Sequence, residues 1–493
     1  MKKIFSILLL SLVCITASAQ IERPKIVVGF VVDQMRWDYL YYYYDKFGNG
    51  GLKRLIDEGF SCENNMINYL PTVTAIGHAS VYTGTTPALH GIAGNNFYKD
   101  GVSTYCCADS TVRGVGTESK AGKMSPRNMQ APTIGDMLRT SNDFRSRVFG
   151  VALKDRAAIL PAGHSANAAY WYDNSVGHFI TSTYYMDKLP EWVVKFNEKN
   201  ATPPKKDMKM VKEGITLTFK MAEALLDNEK IGKGDVTDML CVSISSTDAM
   251  AHEYGTRGKL IEDAYLQLDK DLAHFFDKLD KEFGRNNYLF FLTADHGGMH
   301  NVNFLKEHKI PAYCYNEKPN IEKIKARLQS KLGISPDVVV GASSCRYYFN
   351  HQLIKERNLD FEAIKREAMD VLMEDSLAAF VIDFAKAGSS TVPQPIRERI
   401  INSYHPHRSG DLIVIPINYT VNRQVPVGST ATTHSMWNPY DAHIPLVFMG
   451  WHIKSGSTST PTRIVDIAPT VCAMLHIQMP DGTIGDAILP VVE

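Results

Sequence analysis

The chain has 493 residues, 44% of them hydrophobic, enough apolar material for one large α/β domain with insertions or for two to three smaller ones. Its 53 Lys+Arg balance its 53 Asp+Glu. No global charge attracts nucleic acid or an anionic membrane, so any steering of a charged substrate must be local.

At the N-terminus Lys2 and Lys3 precede an apolar run from Ile4 to Ile15 and the small-residue pattern Ala17-Ser18-Ala19. This is the layout of a secretory signal peptide, residues 1–19, removed before Gln20. The run is too short to span a bilayer comfortably, and Cys14 lacks the small residues of a lipoprotein site. The expectation is a mature chain of 20–493 with no membrane anchor, exported to a bacterial periplasm. Without Cys14 seven cysteines remain, an odd count that implies a free thiol or an intermolecular bond. Some pairing is expected in an oxidising compartment, and the spacings make no zinc knuckle.

Lys25 to Val32 reads as a buried parallel strand ending at Asp33. Gly51 to Gly59 reads as a helix, and Thr74 to Tyr82 as the start of a central helix of small residues. Gly84 to Tyr98 has loop composition. Pro132 to Arg139 predicts a helix, and Arg147 to Leu153 a strand ending at Lys154. Ala168 to Tyr185 alternates aromatic residues, which predicts β structure outside the main sheet. Lys199 to Lys212 reads as a solvated linker. Asp238 to Ser245 is a second buried strand, with a helical turn from Asp248 to Tyr254 and an amphipathic helix from Leu260 to Phe283. Tyr288 to Leu292 is another buried strand, ending at Ala294-Asp295-His296-Gly297. Asp411 to Ile417 and Ile444 to Met449 are strands with His434 between them, and Ile464 to Leu475 closes the chain as a helix. Alternating strands and helices predict an α/β fold with a mostly parallel central sheet flanked by helices. Segments of about 160–215 and 311–402 read as peripheral insertions.

In such sheets sites form beyond the carboxyl ends of the strands, where Asp33, Asp248 and Asp295-His296 fall. One acid there is ordinarily a cap or turn residue. Asp248-x-x-x-His252 puts both side chains on one helix face, and alone it is more often a solvated pair. Adding His434, three Asp and three His from distant segments support two zinc-like cations with mixed N/O ligands. A hydroxyl such as Thr74 at a helix mouth is ordinarily a cap.

The sequence resembles the alkaline phosphatase superfamily over almost the whole mature chain. The motifs are Asp33-Gln34-Met35, Pro71-Thr72-Val73-Thr74 with Gly77-His78, Gly91-Ile92-Ala93-Gly94-Asn95, Asp248-x-x-x-His252, Ala294-Asp295-His296-Gly297 and Thr433-His434, with Asp466-Ile467-Ala468-Pro469-Thr470 near the end. The resemblance is strongest to bacterial alkaline phosphatases with a threonine nucleophile, relatives of the nucleotide pyrophosphatase/phosphodiesterases. It implies that Thr74 is the nucleophile. Asp248, His252 and His434 hold one zinc; Asp33, Asp295 and His296 hold the other, which also contacts Thr74. It implies that Asn95 donates to a phosphoryl oxygen and that turnover passes through a phosphothreonine.

Ala152-Leu153-Lys154-Asp155-Arg156 resembles the monoesterase branch, in which the Lys and Arg reach the transferred phosphoryl group. A monoester dianion carries more charge on its non-bridging oxygens than a diester, so added cationic donors favour it. A bare Lys-x-Arg is otherwise an ordinary charged loop. His78 is read as packing near the nucleophile, and His300, His405, His407 and His443 are given no ligand role. No Cys-x-Pro-x-Arg is present, against a sulfatase. The expected function is an exported alkaline phosphatase acting on small phosphate monoesters, with no nucleic acid as dedicated partner. A monomer is the expectation, with no sequence feature fixing it. A nucleotide phosphodiesterase or pyrophosphatase is the alternative, and a binding protein without turnover is the non-enzymatic one.

Overall fold

The computed structural model describes residues 22–99 and 101–492, so the segment read as a signal peptide lies outside the described residues. The first strand, β1 (Ile26–Val32), is IVVGFVV and buried on both faces, as a central parallel strand must be. After β2 (Phe60–Cys62) comes helix α1 (Thr74–Thr83). All ten residues of α1 are buried, which suits its small and apolar composition all round. A hairpin follows, β3 (Asn96–Lys99) with β4 (Val102–Tyr105), and then the short β5 (Gly114–Val115) and α2 (Ile134–Thr140). Next come β6 (Val148–Ala152), α3 (Asp155–Ala162), β7 (Ala168–Asp173) and β8 (His178–Ser182). The second half of the core has β9 (Asp238–Ile244), α4 (Ser246–Tyr254), the 25-residue amphipathic α5 (Lys259–Phe283) and β10 (Tyr288–Thr293).

The chain then builds a separate antiparallel sheet from β11 (Val339–Ser343), β12 (Arg346–Phe349), β13 (Ala378–Asp383) and β14 (Leu412–Pro416), ordered β11-β12-β14-β13. It returns to the core with β15 (Leu446–Gly450) and β16 (Gly456–Thr458). The main sheet has ten strands in the order β16-β2-β15-β10-β1-β9-β6-β7-β8-β5. Its five central strands, β10 to β7, are mutually parallel, and β15 and β8 flank them antiparallel.

Three expectations are corrected. The aromatic segment from Ala168 is not outside the main sheet: β7 pairs parallel with β6, and β8 pairs with β7. The helix α3 provides the crossover that sets β7 beside β6, and all six β7 residues are buried. The peripheral body read as 311–402 extends further, because β14 supplies two of its three strand pairings. The expected cysteine pairing is absent among the described residues: all seven cysteines are free thiols, and the Sγ atoms of Cys106 and Cys107 lie 4.0 Å apart. No helix among the described residues is long and apolar enough to cross a membrane.

Two glycines let α1 close on the sheet. A Cβ at Gly29, inside β1, would stand 2.4 Å from the Tyr82 hydroxyl. A Cβ at Gly77 would stand 2.2 Å from the carbonyl oxygen of Asp295. The helix carrying Thr74 therefore rests directly on the chain that leaves β10.

Candidate active site

Four neighbouring parallel strands deliver the charged groups. Asp33 follows β1, Lys154 lies just beyond β6, Asp248 is in the first turn of α4 after β9, and Asp295-His296 follow β10. Asp33, Asp295 and His296 are fully buried, and Asp248 and His434 nearly so. Each histidine predicted as a ligand gives its Nδ1 to a backbone carbonyl: His252 to Thr432 at 3.0 Å, His296 to Gly297 at 3.0 Å, His434 to Thr72 at 2.6 Å. Such bonds fix the ring and leave Nε2 for a cation.

Carboxylate oxygens converge on the same space. Asp33 Oδ1, Asp248 Oδ1 and Asp295 Oδ2 are buried without a hydrogen-bond partner. Buried carboxylate oxygens without hydrogen bonds are costly, so the donor set fits a bound cation. Ligand atoms of Asp33, Asp295 and His296 lie within 4.8 Å of one another, as do those of Asp248, His296 and His434. His296 thus belongs to both groups, and its ring stacks on His434 with centroids 3.6 Å apart. His252 is the most open of the set, its side chain 32% exposed, with Nε2 3.2 Å from Asp248 Oδ1. Mixed Asp and His donors are those of zinc and its first-row neighbours.

Thr74 is the first helical residue of α1, not its cap; Val73 occupies the cap position in an extended conformation. Its hydroxyl is therefore free for other work, and Oγ1 lies 3.5 Å from His296 Nε2. Asn95 accepts a hydrogen bond from Ala75 N at 2.9 Å through Oδ1, which fixes the amide and leaves its two hydrogens for a ligand. That bond also satisfies the Ala75 N–H, one of the free donors at the start of α1. His78 packs as expected, with Nδ1 2.9 Å from Thr74 O and Nε2 2.8 Å from Ser243 Oγ.

Lys154 and Arg156 are placed differently from a pair both facing substrate. Lys154 Nζ donates to Asp33 Oδ2 at 2.6 Å and to Asp248 Oδ2 at 2.5 Å, between the two groups of ligands. Burial works against its charge, but Asp248 and Asp33 outweigh it and hold the ammonium above its ordinary pKa. Burial, with Asp248 and Asp295 close by, pushes Asp33 well up. Burial acts the same way on Asp248, yet His252, Lys154 and His434 overcome it and hold that carboxyl well below the ordinary range. Burial and neighbouring His296 and His252 push His434 well down, which keeps it neutral as a ligand must be. Arg156 donates from Nη1 to the Tyr105 hydroxyl at 3.2 Å.

Three contributors were not read from the sequence. Thr72 accepts from His434 through its carbonyl, donates from Oγ1 to Met436 O at 2.8 Å, and so ties the nucleophile loop to a ligand loop. Tyr105 and Asp155 hold Arg156. The signal for Tyr105 was the Asp100-Gly101 pair between two aromatic, β-favouring stretches, which marks a hairpin. A cavity of about 630 Å³ lies elsewhere, against Trp37, Met299, His300, Trp437 and His443; none of the predicted site residues lines it.

Residues 27–421 match the family described as type I phosphodiesterase / nucleotide pyrophosphatase. The chain is 42% identical to alkaline phosphatase PafA of Elizabethkingia meningoseptica, over 96% of this chain and 95% of that one. It is 41% identical to a Myroides odoratus protein named calcium-transporting ATPase, over 97% and 96%. It is 40% identical to alkaline phosphatase PhoV of Synechococcus elongatus, over 99% and 98%. The solved structure of wild-type PafA superposes with a TM-score of 0.92 at 40% identity, covering 96% of this chain and 100% of that one. A second PafA structure, TM-score 0.91 over the same shares, has a threonine changed to serine and an asparagine, a lysine and an arginine changed to alanine. The intervals from that threonine to the asparagine and from the lysine to the arginine equal those from Thr74 to Asn95 and from Lys154 to Arg156. The chain belongs to the type I phosphodiesterase / nucleotide pyrophosphatase family of the alkaline phosphatase superfamily.

Proposed function

We propose that this chain is an exported alkaline phosphatase that hydrolyses small phosphate monoesters through a phosphothreonine on Thr74, with two zinc ions bound. The observation that carries the reading is the buried convergence of Asp33, Asp248, Asp295, His296 and His434, with unpartnered carboxylate oxygens, beside the free hydroxyl of Thr74. The PafA and PhoV relatives, both named alkaline phosphatases, support the monoester class. Export rests on the pattern of residues 1–19, and 20–493 is proposed as the mature catalytic chain, acting as a monomer.

Asp33, Asp295 and His296 would hold one zinc, and Asp248, His434 and His252 the other. When bound, the ions stabilise the threonine alkoxide and the negative charge of the leaving oxygen. Thr74 Oγ1 loses its proton and bonds to phosphorus as the ester P–O bond breaks, and the alcohol leaves with a proton. Water then attacks the phosphothreonine, restoring the hydroxyl and releasing inorganic phosphate. Asn95, fixed by Ala75 N, donates to a non-bridging oxygen throughout. Arg156 adds charge-assisted donors where a monoester is most negative. Lys154 holds Asp33 and Asp248 in register for the metals.

A nucleotide phosphodiesterase reading has the description of the matching family behind it. The free donors of Arg156, and the two relatives named alkaline phosphatases, support the monoester instead. Acid quenching during turnover of an aryl phosphate tests the mechanism. The tryptic peptide containing Thr74 is expected to carry one phosphoryl group, absent in Thr74→Ala. Phosphorylation of a different residue would remove the assignment.

A further inference from the structure

The β3–β4 hairpin starts one residue after Asn95, and its base pairs Asn96 with Tyr105. Cys106 N donates to Asn95 O at 3.0 Å, closing that base. One side of the base grips α1 through Asn95 Oδ1 and Ala75 N. The other side grips α3: the Tyr105 hydroxyl donates to Asp155 Oδ1 at 2.5 Å and accepts from Arg156 Nη1 at 3.2 Å. Asp155 Oδ1 also accepts from Arg156 N at 2.7 Å. A single two-stranded element thus sets Asn95 and Arg156 relative to one another.

The guanidinium of Arg156 is tethered on one side only. Nη1 has Tyr105, while Nε is buried without a partner and Nη2 has no protein hydrogen bond among the described residues. The Nε/Nη2 edge is a parallel pair of donors of the kind that forks onto two oxygens of one anion. Arg156 Nη1 lies 4.0 Å from Asp155 Oδ1, so without the hydroxyl no hydrogen-bonded group among the described residues separates the guanidinium from its own neighbour's carboxylate. The hydroxyl stands between the two charges as donor to one and acceptor from the other.

We propose that Tyr105 is a positioning residue for monoester selectivity, holding Arg156 off Asp155 so that its Nε/Nη2 edge stays free for the phosphoryl group. This rests on the reading above that Arg156 contacts the transferred phosphoryl group. Misplacing such a donor by about 1 Å costs on the order of 10- to 100-fold. The diester, with less charge on its non-bridging oxygens, depends on Arg156 much less.

The test measures kcat/KM for an aryl phosphate monoester and an aryl phosphate diester in zinc-loaded wild type, Tyr105→Phe, Asp155→Asn, Arg156→Ala and the Tyr105→Phe/Arg156→Ala and Tyr105→Phe/Asp155→Asn double variants. Tyr105→Phe is expected to lose about 10-fold or more on the monoester and about twofold or less on the diester. In the Arg156→Ala background it is expected to change nothing further, since residues acting as one unit are not additive. Asp155→Asn, which removes the competing charge, is expected to stay within about twofold of wild type and, added to Tyr105→Phe, to recover most of the lost monoester rate. A loss in Asp155→Asn as large as that in Tyr105→Phe overturns the proposal, and this arm stands if Tyr105→Phe does not fold. Equal losses on both substrates overturn the proposal, as does a full additional loss in the Tyr105→Phe/Arg156→Ala variant. If Arg156→Ala alone leaves the monoester preference intact, the role of Arg156 itself fails, and that result is visible without any change at Tyr105.

Discussion

Lys154 Nζ lies 2.6 Å from Asp33 Oδ2, inside a buried cluster that also contains Asp248 and Asp295. Three buried carboxylates beside one ammonium set up an excess of negative charge that added cations relieve. In chelator-treated protein, removing Lys154 leaves buried acids unpaired, a cost of about 3–5 kcal/mol. Lys154→Ala is therefore expected to lower the melting temperature of metal-free protein strongly, and to gain more on adding zinc than wild type does. Calorimetry of both proteins with chelator and with zinc reads this directly. Equal melting temperatures of the two metal-free proteins would show that Lys154 does not neutralise the cluster.

Thr74 Oγ1 has no capping duty, so its loss touches chemistry and leaves the helix start alone. Thr74→Ala is expected to lower kcat by about 1,000-fold or more while the protein still folds and binds zinc, and Thr74→Ser to retain part of the rate. Initial rates, circular dichroism and metal content on the same preparations check it. Full activity in Thr74→Ala excludes this nucleophile.

Gly77 is the contact between the nucleophile helix and Asp295. A methyl group there meets the Asp295 backbone at 2.2 Å, with Asp295 Cα only 2.6 Å away. Gly77→Ala must push α1 off the metal ligand, at a cost of about 1–3 kcal/mol in overpacking. Lower zinc affinity together with lower kcat is the expected pair of results, measured by zinc titration and by rates at saturating metal. A variant with wild-type affinity and rate would mean that the helix position does not matter to the site.

Away from the site, Asp136 gives a pH signature. Its carboxylate accepts from Thr133 N at 2.9 Å, His164 N at 3.2 Å and Ser165 N at 2.7 Å. Burial alone would raise its pKa, but hydrogen bonds from His164, Ser165 and Thr133 win and lower it from 3.8 to about 2. A depressed folded-state pKa contributes stability that is fully present above the unfolded value near 3.8 and is lost as pH falls through about 2. Urea unfolding at pH 7 should show Asp136→Asn about 2 kcal/mol less stable than wild type. The gap should shrink as the pH drops from about 4 toward 2. A gap that does not vary with pH assigns the loss to something other than ionisation.

The strand-end rule made much of the site readable in advance. Asp33 and Asp295-His296 each end a largely apolar, fully buried strand, and Asp248 follows the third such strand in the adjoining helix turn. Their convergence follows from parallel neighbours sharing one edge. Partition of the ligands was less legible, because it depends on His296 stacking on His434 across 138 residues of chain, which no local pattern encodes. Lys154 was read as a phosphate contact, but its ammonium goes to the buried acids beyond β9, the next strand, and β1, one strand further. Tyr105 escaped notice because its partners lie 50 and 51 residues away, brought together by the hairpin and α3. The aromatic alternation after Ala168 suggested β structure outside the main sheet, whereas β7 pairs with β6 inside it and is buried on both faces through tertiary packing.

The most direct measurement is the ratio of kcat/KM for an aryl phosphate monoester to that for an aryl phosphate diester, in zinc-loaded wild type and in Arg156→Ala. Wild type is expected to prefer the monoester strongly, and Arg156→Ala to lose most of that preference while keeping its diester rate within about 10-fold. A wild-type preference for the diester, or equal losses on both substrates, would contradict the assignment of this chain as a phosphate-monoester hydrolase.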